Sequence, residues 1–150
     1  MEEPVGMDTS TMASGKIQLS IPSHPQYLQL VRGVVKKATG IIGVSRKDSD
    51  HIILAVDEAC SNIIKHSYMN NPEKTIDISI GTQGKELHIL ITDYGKKCDI
   101  RQLLPRDIDI IRPGGLGLYI INHAMDSVEY DCSASGKNQV RMIKCLKKSR

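Results

Sequence analysis

The stretch Ile53–Tyr68 reads ILAVDEACSNIIKHSY, and its spacing decides how the rest of the chain is read. Ile52, Val56, Ala59 and Ile63 recur at helical intervals, with Ile53, Cys60 and Ile64 beside them. That stripe predicts an amphipathic helix with one buried face. Ser45 followed by Asp48 is a capping box that starts it, and the pattern carries it to about Ser67. Glu58, Asn62 and His66 fall at i, i+4 and i+8, along one edge of the stripe. An amide oxygen there suits a hard cation such as Mg²⁺. A carboxylate one turn away suits a general base. The same triplet also suits the polar edge of an ordinary helix. His66 equally fits a cation at a helix C-terminus. Asp57 points roughly 100° away around the helix and reads as a solvated or capping charge.

Working towards the N-terminus, Ile17, Leu19 and Ile21 alternate, which predicts a strand over Lys16–Ile21. Pro22 and Pro25 break it. Leu28, Val31, Val34 and Val35 then predict a first helix through about Thr39, ended by Gly40 and Gly43. Residues 1–15 lack periodicity and are expected to be a disordered tail. Working towards the C-terminus, Asn70-Asn71-Pro72 marks a turn. Thr75–Gly81 and Leu87–Thr92 alternate around Gly84 as an antiparallel hairpin. Asp93 to Gly117 is irregular, and a loop of that length in a domain is usually functional or disordered. A helix follows from Leu116 to about Asp126. A second hairpin, Ser127–Cys132 and Gln139–Leu146, closes the pattern around Ser135-Gly136. The order β-α-α-β-β-loop-α-β-β predicts an α+β fold. It is a two-layer α/β sandwich with a mixed, mostly antiparallel sheet and its helices on one face.

Composition narrows the function classes. The chain has 150 residues, the size of one ordinary domain, and residues 16–147 are expected to form it. A formal charge of +3 is too small to imply nucleic acid, and the absence of Phe and Trp removes the usual base-stacking platforms. The longest stretches without Asp, Glu, Lys or Arg outside the tail, Ile17–Val31 and Pro113–Met125, are shorter than the roughly 20 residues of a membrane helix. The N-terminus predicts no signal peptide, so a cytoplasmic location is expected. Cys60, Cys98, Cys132 and Cys145 are widely spaced without a C-x-x-C pair. They read as small buried hydrophobes in a reducing cytosol rather than as a disulfide or zinc framework. Cys98 stands apart because it lies in a motif loop.

Two more motifs carry chemistry. Asp93-Tyr94-Gly95 ends an apolar strand, with Asp99 four residues on. An Asp leaving a buried strand can accept from an exocyclic amine, and Gly95 admits a flat ligand to the backbone. A plain Asp-x-Gly turn fits the same residues. Gly114-Gly115-Leu116-Gly117 opens an apolar helix, where bare N–H groups and the helix N-terminus suit a polyphosphate. Arg112 precedes it. The segment is neither a dinucleotide fingerprint nor a phosphate loop of the G-x-x-x-x-G-K-[ST] kind. A loop-to-helix junction without a ligand fits it as well. Lys65, Lys96, Lys97, Arg106 and Arg112 cluster around these motifs and would favour a polyphosphate.

In this order, E-x-x-x-N-x-x-x-H, strand-end D-x-G and G-x-G entering a helix resemble the GHKL ATPases. The wording of Ile53–Tyr68, Ile91–Asp99 and Gly114–Tyr130 is similar to bacterial anti-sigma factor serine/threonine kinases, over about Lys16–Lys147. The resemblance implies a GHKL-type sandwich that binds ATP and Mg²⁺. It makes Glu58 the general base and Asn62 the Mg²⁺ ligand. Asp93 and Gly95 would hold adenine, and Gly115 and Gly117 the phosphates. Around these, His66, Asp99, Arg112, Gly114, Leu116 and Asn138 would complete the nucleotide site, with Lys96–Gly114 as a mobile lid. It also implies an antagonist protein as substrate, a sigma factor as second partner, and a homodimer. Three departures stand out. The second glycine often found after D-x-G is replaced in the region of Lys97 and Cys98, Pro113 sits where basic residues are usual, and Lys137-Asn138 replaces Gly-Thr. They leave room for an ATP-binding regulatory module that switches partners without phosphotransfer. The motifs would also sit in a histidine-kinase ATP domain, and the element order alone would fit a non-nucleotide interaction domain.

Overall fold

The computed structural model describes residues 15–98 and 115–146. In order along the chain they form β1 (Ile17–Pro22), a 3₁₀ turn (Pro25–Tyr27), α1 (Leu28–Ile42) and α2 (Arg46–Asn62). A π turn (Ile63–Ser67), β2 (Thr75–Gln83), β3 (Glu86–Asp93), α3 (Gly115–Ala124), β4 (Ser127–Asp131) and β5 (Asn138–Cys145) complete them. Residues 1–14 of the expected tail, Asp99, Arg106, Arg112, Gly114 and most of the lid segment lie outside the described residues.

The five strands make one sheet in the order β1-β2-β3-β5-β4. All four pairings are antiparallel, the limiting case of the mostly antiparallel sheet expected. Isoleucine alternation builds it. Ile76, Ile78 and Ile80 of β2 and Leu87, Ile89 and Ile91 of β3 are buried on the same face. Against them pack Val31 and Val35 of α1, Ile52, Val56 and Cys60 of α2, and Ile121 of α3. The fold is therefore a two-layer α+β sandwich with an aliphatic core. The described core contains Tyr68 as its one buried aromatic side chain.

The helices correct three expectations. Gly40 lies inside α1, because a helix interior tolerates glycine at a modest cost. The chain leaves the helix at Gly43, whose φ of 93° is left-handed and whose N–H donates to the Thr39 and Gly40 carbonyls. Ser45 caps α2 as expected, its Oγ accepting the Asp48 N–H at 3.2 Å. The α-helix stops at Asn62, and the last five residues of the predicted helix wind as a π turn. Asp57 is neither free nor a cap: its carboxylate meets the Arg32 guanidinium at 2.5 Å and ties α2 to α1.

Candidate functional site

Helix α3 packs on α2, and the contact is made through a missing side chain. A Cβ on Gly117 would come within 2.8 Å of Glu58 Oε2 and 3.8 Å of both polar atoms of the Asn62 amide. Glycine is the residue that lets the opening turn of α3 settle over this pair. The G-x-G motif and the acid-amide helix, more than 50 residues apart, thus share one place. Glu58 and Asn62 are half-buried there. His66 does not join them. It is exposed in the π turn, where the helical register that its i+8 spacing assumed no longer holds.

The D-x-G motif forms a second part, built from buried polar groups. Asp93 is 5% exposed at the end of β3. Its Oδ1 accepts from the Ser67 hydroxyl, the Gly95 N–H at 3.0 Å and the Asn138 amide at 3.0 Å. Among the described residues, every hydrogen bond to this carboxylate ends on Oδ1. Asn138 faces Asp93 directly across the β3–β5 ladder and is as deeply buried. It donates again to the Lys96 carbonyl at 2.9 Å, and its own oxygen accepts the Cys98 N–H at 3.3 Å. Asn138 therefore stands behind Asp93 as a positioning residue, its amide engaged on three sides.

Gly95 answers to a different neighbour from the one its motif suggests. A Cβ there would lie 2.5 Å from the Ser67 carbonyl oxygen. The Lys96 N–H donates to that same carbonyl at 2.9 Å. The end of the π turn thus presses on the strand-end loop, and glycine leaves room for it. Tyr68 supports the same loop: its hydroxyl donates to the Thr75 carbonyl at 2.5 Å and accepts the Tyr94 N–H at 2.8 Å. Burial, with Asp93 and Asp77 adding to it, holds this phenol above its ordinary range. Ser67 and Tyr68 do not stand out by residue type in the sequence. Their signal is position, at the end of the decisive helix.

The lysines divide. Lys65 and Lys96 are exposed. Lys97 turns instead to the β4–β5 turn, its ammonium meeting the carbonyls of Cys132, Ala134 and Lys137. The cysteines divide too. Cys60 is buried as expected, whereas Cys145 is exposed and Cys98 is joined to Cys132 as a disulfide, with Cα atoms 6.1 Å apart. Their separation of 34 residues hid this pairing. The sheet order brings the end of β3, the end of β4 and the start of β5 to one side, so both cysteines arrive there. No cluster of three or more metal-ligating side chains occurs among the described residues. No described helix is long and apolar enough to cross a membrane.

Residues 21–144 match the Histidine kinase-like ATPase domain model. The chain belongs to that family. The Serine-protein kinase RsbW of Bacillus licheniformis is 30% identical over 146 residues, covering 92% of this chain and 90% of that protein. Its counterpart in Bacillus velezensis is 30% identical over 121 residues, 75% of this chain and 76% of that protein. These relatives place the histidine kinase-like ATPase chain with the anti-sigma factor serine kinases that its motifs resemble. Solved structures agree on the fold. The RsbU and RsbW domains of a Mycobacterium tuberculosis protein superpose with a TM-score of 0.67 at 14% identity, over 91% of this chain and 34% of that one. The SiaB–SiaC complex from Pseudomonas aeruginosa gives 0.65 at 11% identity, over 90% and 93%.

Proposed function

We propose that this histidine kinase-like ATPase chain is an ATP-dependent serine/threonine protein kinase that acts as an anti-sigma factor in a partner switch. The observation that carries it is Gly117 seated over Glu58 and Asn62, which puts a helix N-terminus, a carboxylate and an amide at one point. Phosphoryl transfer needs little covalent help from a protein; it needs positioning and charge stabilisation. Each element supplies part of that. The backbone N–H groups at Gly115 and Gly117 would receive phosphate oxygens. The Glu58 carboxylate would accept the proton of a serine or threonine hydroxyl on the antagonist protein as it attacks.

The Asn62 amide, half-buried beside Gly117 and Glu58, offers a neutral oxygen that suits Mg²⁺ held mainly by phosphates and water. Asn62 would be its protein ligand, and the ion would neutralise charge on the transferring phosphoryl. Asp93, its Oδ1 already filled by protein donors, would use Oδ2 for the adenine amine. His66, Asp99, Arg112, Gly114 and Leu116 complete the nucleotide site on family resemblance, with Asn138 behind it. Residues 16–147 would act as one kinase unit in the cytoplasm, with a sigma factor as the sequestered partner.

A second copy of the chain would cover the outer face of α1. Ile17, Leu30 and Ile41 are 38%, 57% and 83% exposed, and β1 beside them is an edge strand of the sheet. The groove they share with Val34 and Ala38 is apolar. This supports a homodimer.

Labelled ATP and a purified antagonist protein test the kinase reading. Transfer of label to a serine or threonine is expected. Glu58→Gln should keep Mg-ATP binding and lose transfer. Nucleotide binding with no labelled residue would favour the regulatory module without phosphotransfer.

A further inference from the structure

We propose that Cys98 and Cys132 form a reversible redox clasp that fixes the loop beneath the nucleotide; the nucleotide part rests on the kinase reading above. The loop Tyr94–Cys98 leaves the strand that carries Asp93. It is tied on one side to the π turn, through Lys96 N–H to the Ser67 carbonyl. On the other side it is tied to the β4–β5 turn and the start of β5, where the Asn138 amide donates to the Lys96 carbonyl. Cys98 N–H meets the Asn138 oxygen, Lys97 reaches three carbonyls of the turn, and Cys98 is bonded to Cys132. The disulfide is the one covalent link among them. A Cα separation of 6.1 Å lies within the range that a disulfide spans.

Both cysteines are half-buried, so a small thiol can reach them. Where thiols are kept reduced, a bonded pair is usually transient and serves catalysis or sensing. The exchange is balanced by a dithiol reductant. One of its thiolates attacks a sulfur of the bridge, and the other cysteine leaves as a thiolate that takes up a proton. The reductant's second thiolate then attacks the mixed disulfide and frees the remaining cysteine. Two electrons pass to the protein, which holds two thiols, and the dithiol becomes a disulfide. Reduction removes the covalent tie and leaves the loop to its hydrogen bonds. The other cysteines do not interfere. Burial, then Asp57, pushes the Cys60 thiol up to about 12, and Cys145 lies on the far end of β5.

The test compares the full chain oxidised and after dithiothreitol. Peptide mapping without reductant should find Cys98 linked to Cys132. Amide exchange at Gly95–Cys98 should be slower in the oxidised form, and its Tm higher by about 5–10 °C. Mg-ATP should bind the oxidised form several-fold more tightly, because its loop is already ordered. Cys98→Ser with Cys132→Ser should behave as the reduced form in either buffer, and Cys145→Ser should still respond. An oxidised chain without the 98–132 link, or equal exchange at Gly95–Cys98 in both forms, would overturn the clasp. Equal Mg-ATP affinity in the two forms would overturn its effect on the site. A chain that binds no nucleotide in either form would overturn the kinase reading instead, and the exchange arm would still decide the clasp.

Discussion

Gly117 stands over Glu58, so close that a Cβ on the glycine would sit 2.8 Å from the carboxylate oxygen Oε2. That atom is the end of a flexible side chain. An added methyl would therefore displace the carboxylate rather than the helix. Gly117→Ala should leave the fold intact, since alanine favours a helix over glycine by about 1 kcal/mol. Phosphotransfer should fall by about 10²-fold or more, because a misplaced general base loses most of its contribution. Thermal melting paired with labelled-ATP transfer checks both halves. Wild-type transfer in a stable Gly117→Ala chain would remove Glu58 from the base role.

Much of this arrangement is legible in the amino-acid order alone. Periodicity in Ile52–Ile64 and alternation in Ile76–Ile80 report which face is buried, and burial is what the core enforces. The three motifs are legible as segments. Their meeting is less so, because spacing along a chain does not report which helix end lands on which neighbour. The π turn at Ile63–Ser67 escapes because its residues continue the helical apolar pattern through Ile63 and Ile64, and its end, Ser67, meets Gly95 only in the folded chain. The Cys98–Cys132 pair escapes for a topological reason. β5 inserts between β3 and β4, and only that strand order brings the two cysteines together.

Gly95 offers the opposite case to Gly117. Its neighbours are the Ser67 hydroxyl and, unlike at Gly117, backbone: the Ser67 carbonyl oxygen lies 2.5 Å from where a Cβ would be. A carbonyl that also accepts the Lys96 N–H cannot swing aside. Gly95→Ala should cost about 1–3 kcal/mol of stability, the usual range for overpacking. Urea unfolding measures this directly. Nucleotide binding should weaken as well, since the loop that holds Asp93 must shift.

The outer face of α1 gives a prediction about assembly. Leu30 and Ile41 are exposed, so a charge at either position disturbs little of the subunit's own core. Leu30→Asp with Ile41→Asp should shift the chain from dimer to monomer in analytical ultracentrifugation while its Tm, measured at a concentration where the monomer dominates, stays near wild type. A wild-type chain that sediments as a monomer at high concentration would dispose of the homodimer.

Asn138 is the residue whose loss should be felt furthest from its own position. Its amide donates to Asp93 Oδ1 and the Lys96 carbonyl and accepts from the Cys98 N–H. Asn138→Ala removes all three at once and leaves a buried carboxylate short of a donor. Unsatisfied buried partners cost about 1–3 kcal/mol each, and a charged one costs more. Part of that is recovered if water enters the space. A net loss of about 2–4 kcal/mol is therefore expected by urea unfolding. Nucleotide affinity should fall with it, because Asp93 would no longer be held at the angle that presents its second oxygen. Asn138→Asp separates the two effects. It keeps the size of the side chain but sets a second carboxylate against Asp93, so one of the two must take up a proton. Stability of that variant should rise as pH falls towards the carboxylate range, opposite to the ordinary acid response of a protein held by ionised carboxylates. The sign follows because the folded state binds the shared proton more tightly than the unfolded chain does. A pH series of urea midpoints for wild type and Asn138→Asp reads this out, and parallel curves would mean that the two side chains are not in contact.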